Sequence, residues 1–163
     1  MDRLEPSARR RLMQAVKSKN TGPELAVRSL LHRLGYRFRL HRKDLPGTPD
    51  IVFPSRRSAI FVHGCFWHGH GCQIGQLPKS KLDYWGPKID ANRERDARKQ
   101  AALAAAGWQS SVVWQCELKD NAALIQRLGA FLDPTPISDR QSDRFRVPSS
   151  EVKTTQLKGT RRP

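Results

Sequence analysis

Apolar positions in this chain follow two periods, and the elements can be read where the period changes. Residues 6–19, PSARRRLMQAVKSK, space Leu12, Met13 and Val16 as a thin helical stripe among basic side chains, with Ser7 as the N-cap. A second helix starts at Thr21-Gly22-Pro23-Glu24, which has the form of a capping box with proline near the first turn. Leu25, Leu30, Leu31 and Leu34 give it a face to bury, and Gly35 ends it. The period then drops to two. Residues 36–41 alternate as a half-exposed strand. Asp50 opens the apolar strand Ile51-Val52-Phe53, and Ala59-Ile60-Phe61-Val62 is a buried strand behind the turn at residues 54–58. After Cys72, residues 73–87 read as a loop carrying Tyr84 and Trp85. Helical spacing returns over about residues 88–106, with Ala102, Leu103 and Ala106 facing the sheet. Residues 108–114 are a further strand and residues 122–132 a closing helix.

The order ααβββαβα predicts the α/β class, a mixed central sheet flanked by helices. Its first three strands form a meander, so the sheet is at least partly antiparallel. From Pro134 the chain is rich in Pro, Ser, Thr and charge and reads as a disordered basic tail. The expected organisation is one domain over residues 1–133 and a tail over residues 134–163.

Charge changes the picture. Thirty Lys and Arg against fifteen Asp and Glu give a net +15, which points to a polyanion, most often nucleic acid. Ribosomal and heparin-type surfaces are also this basic, so charge alone does not choose among them. No signal peptide or membrane-length apolar run is visible, and three cysteines make a poor disulfide framework. The expectation is a cytoplasmic protein with reduced thiols and no membrane partner.

The chemistry is concentrated in residues 59–72, AIFVHGCFWHGHGC. His63, His68 and His70 are three of five histidines, and Cys65 and Cys72 two of three cysteines. Cys65, His70 and Cys72, with Cys116 just past the last strand, make a donor set suited to tetrahedral structural zinc, with His68 as a competing fourth ligand. The plainer reading is three ordinary buried cysteines. Asp50 at a strand start and His63 at the next strand's end can lie side by side across a sheet. A carboxylate beside imidazoles in a basic protein suggests metal-assisted phosphodiester hydrolysis, with Asp50 on Mg²⁺ and a histidine moving the proton. Asp96 and Glu24 are further carboxylates able to approach. Each has a plainer job as well: a turn residue for Asp50, a solvated helix charge for Asp96, a cap for Glu24.

Several stretches together carry a family likeness: Pro46-Gly47-x-Pro49-Asp50, Ile60-Phe61-Val62-His63-Gly64-Cys65-Phe66-Trp67-His68, and His70-x-Cys72. Asn92-x-Glu94-Arg95-Asp96, Gly107-Trp108 and Val113-Trp114-x-Cys116 support them. With these, residues 9–132 resemble the very-short-patch repair endonucleases, mismatch nickases of the restriction-endonuclease-like superfamily. The resemblance implies nicking of one strand beside a T·G mispair left by deamination of 5-methylcytosine. It implies that Asp50 holds Mg²⁺ together with the backbone carbonyl of Val62, where the family commonly has threonine. It makes His63 and His68 active-site histidines, Asp96 the partner orienting His68, and Glu24 an additional acidic residue. Cys65, His70, Cys72 and Cys116 match the structural zinc ligands. Phe66, Trp67 and Met13 match residues that wedge into the duplex. Gly69 and Gly71 stand where bulkier residues are common, which implies a looser loop, and the superfamily's acidic-x-Lys signature is missing after Asp50. The implied partner is double-stranded DNA with a T·G mismatch, bound by a monomer working beside mismatch-repair proteins. The alternatives are a restriction-type nuclease of the same fold and a non-catalytic zinc-stapled DNA-binding module.

Overall fold

The computed structural model describes residues 19–78 and 82–133. The expected first helix with Met13, and the tail, lie outside these residues. Helix α1 spans Gly22–Arg33. Strands β1 (Arg39–Leu40), β2 (Ile51–Phe53) and β3 (Ser58–His63) follow, then helix α2 (Leu82–Ala105), strand β4 (Gln109–Trp114) and helix α3 (Asn121–Leu132). The sheet runs β1-β2-β3-β4, antiparallel for the first two pairs and parallel for β3 with β4. The parallel pair requires a crossover, and α2 supplies it. The α/β class and the mixed sheet are as the sequence implied.

All six residues of β3 are buried, because helices cover both faces of the sheet. Side chains alternate across a strand, so one face takes Ile60 and Val62 and the other Ala59 and Phe61. The first pair packs with Val27, Leu31, Ile51, Phe53, Val113, Leu124 and Leu128, the core under α1 and α3. The second pair packs with Leu45, Val52 and Leu103, the core under α2. Burial of each such leucine or isoleucine contributes about 1.5–3 kcal/mol. All six β3 residues pair in register with β4, and Ser58, Ala59 and Ile60 pair with β2 as well, which fixes where His63 emerges: opposite Trp114, at the end of both strands.

Four expectations need correction. Leu25 and Leu34 are exposed, and α1 buries Val27, Leu30 and Leu31 with Glu24 and Arg28. The buried stripe is thus rotated towards the polar residues that line the cleft. The strand expected over residues 36–41 shrinks to Arg39–Leu40, both exposed, since Tyr36 and Phe38 turn to pack edge-on against Phe53. Helix α2 begins at Leu82 and runs through Pro87, so Tyr84 and Trp85 are helical. Gly86 has no Cβ to meet the proline ring, which removes the main objection to a helical residue before proline. Of the three α2 positions expected to face the sheet, Leu103 does; Ala102 and Ala106 are exposed.

Candidate active site and thiol–imidazole cluster

An open cleft of about 830 Å³ runs from the start of α1 to the end of β3. Glu24, His41, Asp50, His63, His68 and Lys99 line it. Asp50 precedes β2, and its Oδ2 accepts a hydrogen bond from the Val62 backbone N–H at 2.8 Å. Its Oδ1 lies 3.9 Å from His41 Nδ1. Burial raises the pKa of Asp50 and the nearby Glu24 carboxylate adds to this, against the Val62 N–H, His41 and Arg28. Glu24 stands both at the start of α1 and in the lining of the cleft. It caps α1, accepting from the Thr21 hydroxyl and the Asn20 N–H at 3.1 and 3.0 Å, and it shares the cleft with Asp50.

His63 and His68 form the other half of the cleft. Their rings stack with centroids 3.8 Å apart. Asp96, from the middle of α2, is 2.5 Å from His68 Nδ1 and 3.9 Å from His63 Nδ1 through the same oxygen. A carboxylate accepts, so Nδ1 of His68 donates and Nε2 is left for the cleft. Burial brings His63 down to about pKa 4, the neighbouring His68 adds to the fall, and Asp96 opposes it. His63 is therefore neutral near pH 7. Asp50 and His63 do share the cleft, yet their nearest partners differ: His41 and Glu24 for the first, His68 and Asp96 for the second.

Cys65, His70, Cys72 and Cys116 present ligand atoms that all lie within 4.8 Å of one another. None of the thiols is in a disulfide. Cys116 Sγ is 3.4 Å from His70 Nδ1, and its N–H points to Cys65 Sγ at the same distance. Burial raises Cys65 to about pKa 12; Cys72 feels burial too, but hydrogen bonds from His70, Gly75 N–H, Cys65 and Ile74 N–H outweigh it and bring the thiol down to about 6. His68 is committed to Asp96, so His70 is the imidazole of this set. Gly69 has φ +62, and a Cβ there would overlap Ile89 and Arg93 of α2. The loop is thus clamped against the helix, contrary to the looseness its glycines implied.

A family model described as DNA mismatch endonuclease Vsr matches residues 1–74. The chain is 75% identical to the Type II nicking enzyme V.XorIIP of Xanthomonas oryzae pv. oryzae, over 82% of this chain and 98% of that protein. This chain belongs to the DNA mismatch endonuclease Vsr family. It is also 38% identical to the DNA mismatch endonuclease Vsr of Escherichia coli (strain K12), over 78% of this chain and 85% of the relative. Among solved structures, the homing endonuclease I-Bth0305I catalytic domain is similar at a TM-score of 0.47 and 19% identity, covering 69% of this chain and 94% of that one. Vsr membership makes the chain a mismatch-specific nicking endonuclease.

Three further residues stand in or beside this Vsr-family site that sequence reasoning did not single out. His41 approaches both Asp50 and Glu24, at 3.9 and 3.8 Å. The alternating pattern makes it the end of a strand, whereas it turns out of line with φ +47. Lys99, one turn after Asp96, places Nζ 4.0 Å from that carboxylate, its stem lying against Gly47, where a Cβ would come within 2.7 Å. The i,i+3 spacing from Asp96 was the available signal. Trp85 packs edge-on against Phe66 and Trp67, with centroids 5.0 and 6.1 Å away, and Lys88 lies over Trp67 and Trp85. Phe66 and Trp67 are half-buried in that cluster, and the Trp67 carbonyl is held by Asn92 at 2.7 Å.

Proposed function

We propose that this Vsr-family nickase cuts one strand of double-stranded DNA beside a T·G mispair, the product of 5-methylcytosine deamination, by Mg²⁺-dependent phosphodiester hydrolysis on a restriction-endonuclease-like fold. The observation that carries the reading is a single cleft bordered by a carboxylate at one end and two stacked histidines sharing Asp96 at the other.

The donors fit the two metals. Asp50 is a poorly hydrated carboxylate facing a second carboxylate, an arrangement that a hard divalent cation relieves. Asp50 and the Val62 carbonyl would hold Mg²⁺. When bound, such an ion neutralises phosphate charge and lowers the pKa of water. Cys65, His70, Cys72 and Cys116 would hold zinc in a closed structural site, since three thiols and an imidazole converge without a disulfide.

His63, neutral near pH 7, is suited to take a proton from the attacking water. His68, oriented by Asp96, is suited to exchange one at the leaving oxygen. Phe66 and Trp67, backed by Trp85, form an aromatic wedge, and Met13 would enter from the opposite groove. Unstacking costs roughly a few kcal/mol per step, and less where pairing is already poor, so insertion itself favours a mismatch. We read the protein as a cytoplasmic monomer that works beside mismatch-repair proteins.

The test is Mg²⁺-dependent nicking of T·G and matched duplexes with the cut mapped on each strand. Asp50→Ala should bind mismatched DNA without cutting it. His68→Ala should be slower by about 10²–10⁴-fold. Cutting of fully paired sites at equal rates would make it a restriction-type nuclease, and binding without any cutting a zinc-stapled DNA-binding module.

A further inference from the structure

Glu24, Asp50 and Asp96 put three carboxylates in or beside a cleft that has to receive a phosphodiester, so the cations set against them matter. Arg28 is already committed: one terminal nitrogen is 2.6 Å from Asn20 Oδ1, and the other is 2.7 Å from Glu24 Oε2 and 2.8 Å from His41 Nε2. Strands β2 and β3 carry no lysine or arginine. Two lysines line the cleft: Lys19, which is exposed before α1, and Lys99, which is half-buried on α2.

Lys99 is held by its stem and left open at its head. Gly47 has φ +76, and a Cβ there would fall 2.7 Å from both Cβ and Cγ of Lys99 and 3.1 Å from Cδ. The glycine makes room for the lysine stem to lie against the loop before Asp50, with the charged end left to the cleft. Among the described residues the ammonium has one carboxylate partner, Asp96 Oδ1, at 4.0 Å, which is too long for a hydrogen bond. The other oxygen of Asp96 serves both histidines. An i,i+3 pair this long, with the lysine 35% exposed, contributes little to stability and does not account for the seating of the stem. An ammonium is a compact charge with three donors, suited to a phosphate oxygen. Phosphoryl transfer places charge on the oxygens around the reacting phosphorus, and a cation already in position there stabilises the transition state.

We propose that Lys99 is a catalytic residue whose ammonium, from the α2 wall of the cleft, donates to a non-bridging oxygen of the phosphate being cut. It moves no proton and forms no covalent bond; it offsets the charge that builds on that oxygen. This rests on the reading of the cleft as the place of cutting.

The test is single-turnover nicking of a T·G duplex in Mg²⁺ by the zinc-loaded full chain. Binding of the same duplex without Mg²⁺ at several salt concentrations, and melting curves, go alongside. Lys99→Met keeps the stem and should melt as the wild type does. Its nicking rate should fall by about 10²–10³-fold, as for loss of one donor aimed at developing charge. Its affinity should fall by no more than about tenfold, with the slope of log affinity against log salt reduced by about 1. Lys99→Arg keeps the charge and should recover most of the rate. In an Asp96→Asn background, Lys99→Met should still slow nicking by a comparable factor. Lys99→Gln takes the place of Lys99→Met if the methionine variant does not fold. Nicking by the neutral variant at the wild-type rate, or a loss confined to affinity, would overturn the proposal. So would a loss that disappears in Asp96→Asn, which would make Lys99 a support for Asp96 alone. The reading of the cleft fails separately: Asp50→Ala cutting at the wild-type rate would refute it whatever the Lys99 variants do.

Discussion

His63 and His68 lie face to face and share one carboxylate, yet they differ in exposure: the His63 side chain is 8% exposed and that of His68 25%. Burial and the neighbouring ring keep His63 neutral down to about pH 4. In the unfolded chain it would protonate near its ordinary 6.5. Between those values the unfolded state binds the extra proton, so stability due to His63 is fully present above about pH 6.5 and is lost as pH falls towards 4. Urea unfolding of wild type and His63→Gln at pH 7 and pH 4.5 should show the smaller acid loss in the variant, by on the order of 1–3 kcal/mol. Parallel losses would show that His63 is not the group being kept neutral. The histidines and cysteines of the central loop were legible because they crowd one short stretch. His41 and Arg28 were not, since their meeting depends on a left-handed turn at His41 and on the rotation of α1 about its axis.

Elements matter here through what they clamp. The loop after β3 is pinned by α2 at Gly69 and by the end of β4 through Cys116. Gly69→Ala would force a Cβ onto Ile89 and Arg93 in a conformation that side chains resist, at a cost of about 1–3 kcal/mol. Melting with and without a zinc chelator separates this from the metal. Gly69→Ala should lower the melting temperature and keep one zinc, whereas Cys116→Ser should lose zinc and stability together, since metal affinity there is folding energy. A Cys116→Ser protein that keeps its zinc would remove Cys116 from the ligand set. The strands of this region were readable from their apolar runs, and so was the stop of α1, where Gly35 takes φ +85. The start of α2 was hidden by Pro87, which marks a loop in most contexts and here follows a glycine that tolerates it.

For the whole molecule, the net charge of +15 and the aromatic cluster make opposite demands on one DNA substrate. Phosphate contacts give affinity that falls with salt and carry no sequence information. A wedge tests how well a base pair is stacked. Residues 134–163 contribute seven Lys and Arg against three Asp and Glu. Truncation at Pro134 should therefore weaken binding to every duplex alike, and reduce the slope of log affinity against log salt by at least about 1. It should leave the ratio of T·G to matched cutting unchanged. Trp67→Ala should do the reverse: fold, zinc and salt slope kept, most of the T·G preference lost, with Met13→Ala losing less. Trp67 touches Trp85 and Phe66 at the surface of α2, outside both hydrophobic cores, so its loss should cost the domain little. The two variants measured side by side, by nicking rates on paired substrates and binding at several salt concentrations, make each the control of the other. A truncated protein that changed its choice of mismatch would make the tail part of the reader. An unchanged ratio in Trp67→Ala would refute the wedge, and a collapsed melting temperature would make Trp67 a structural residue.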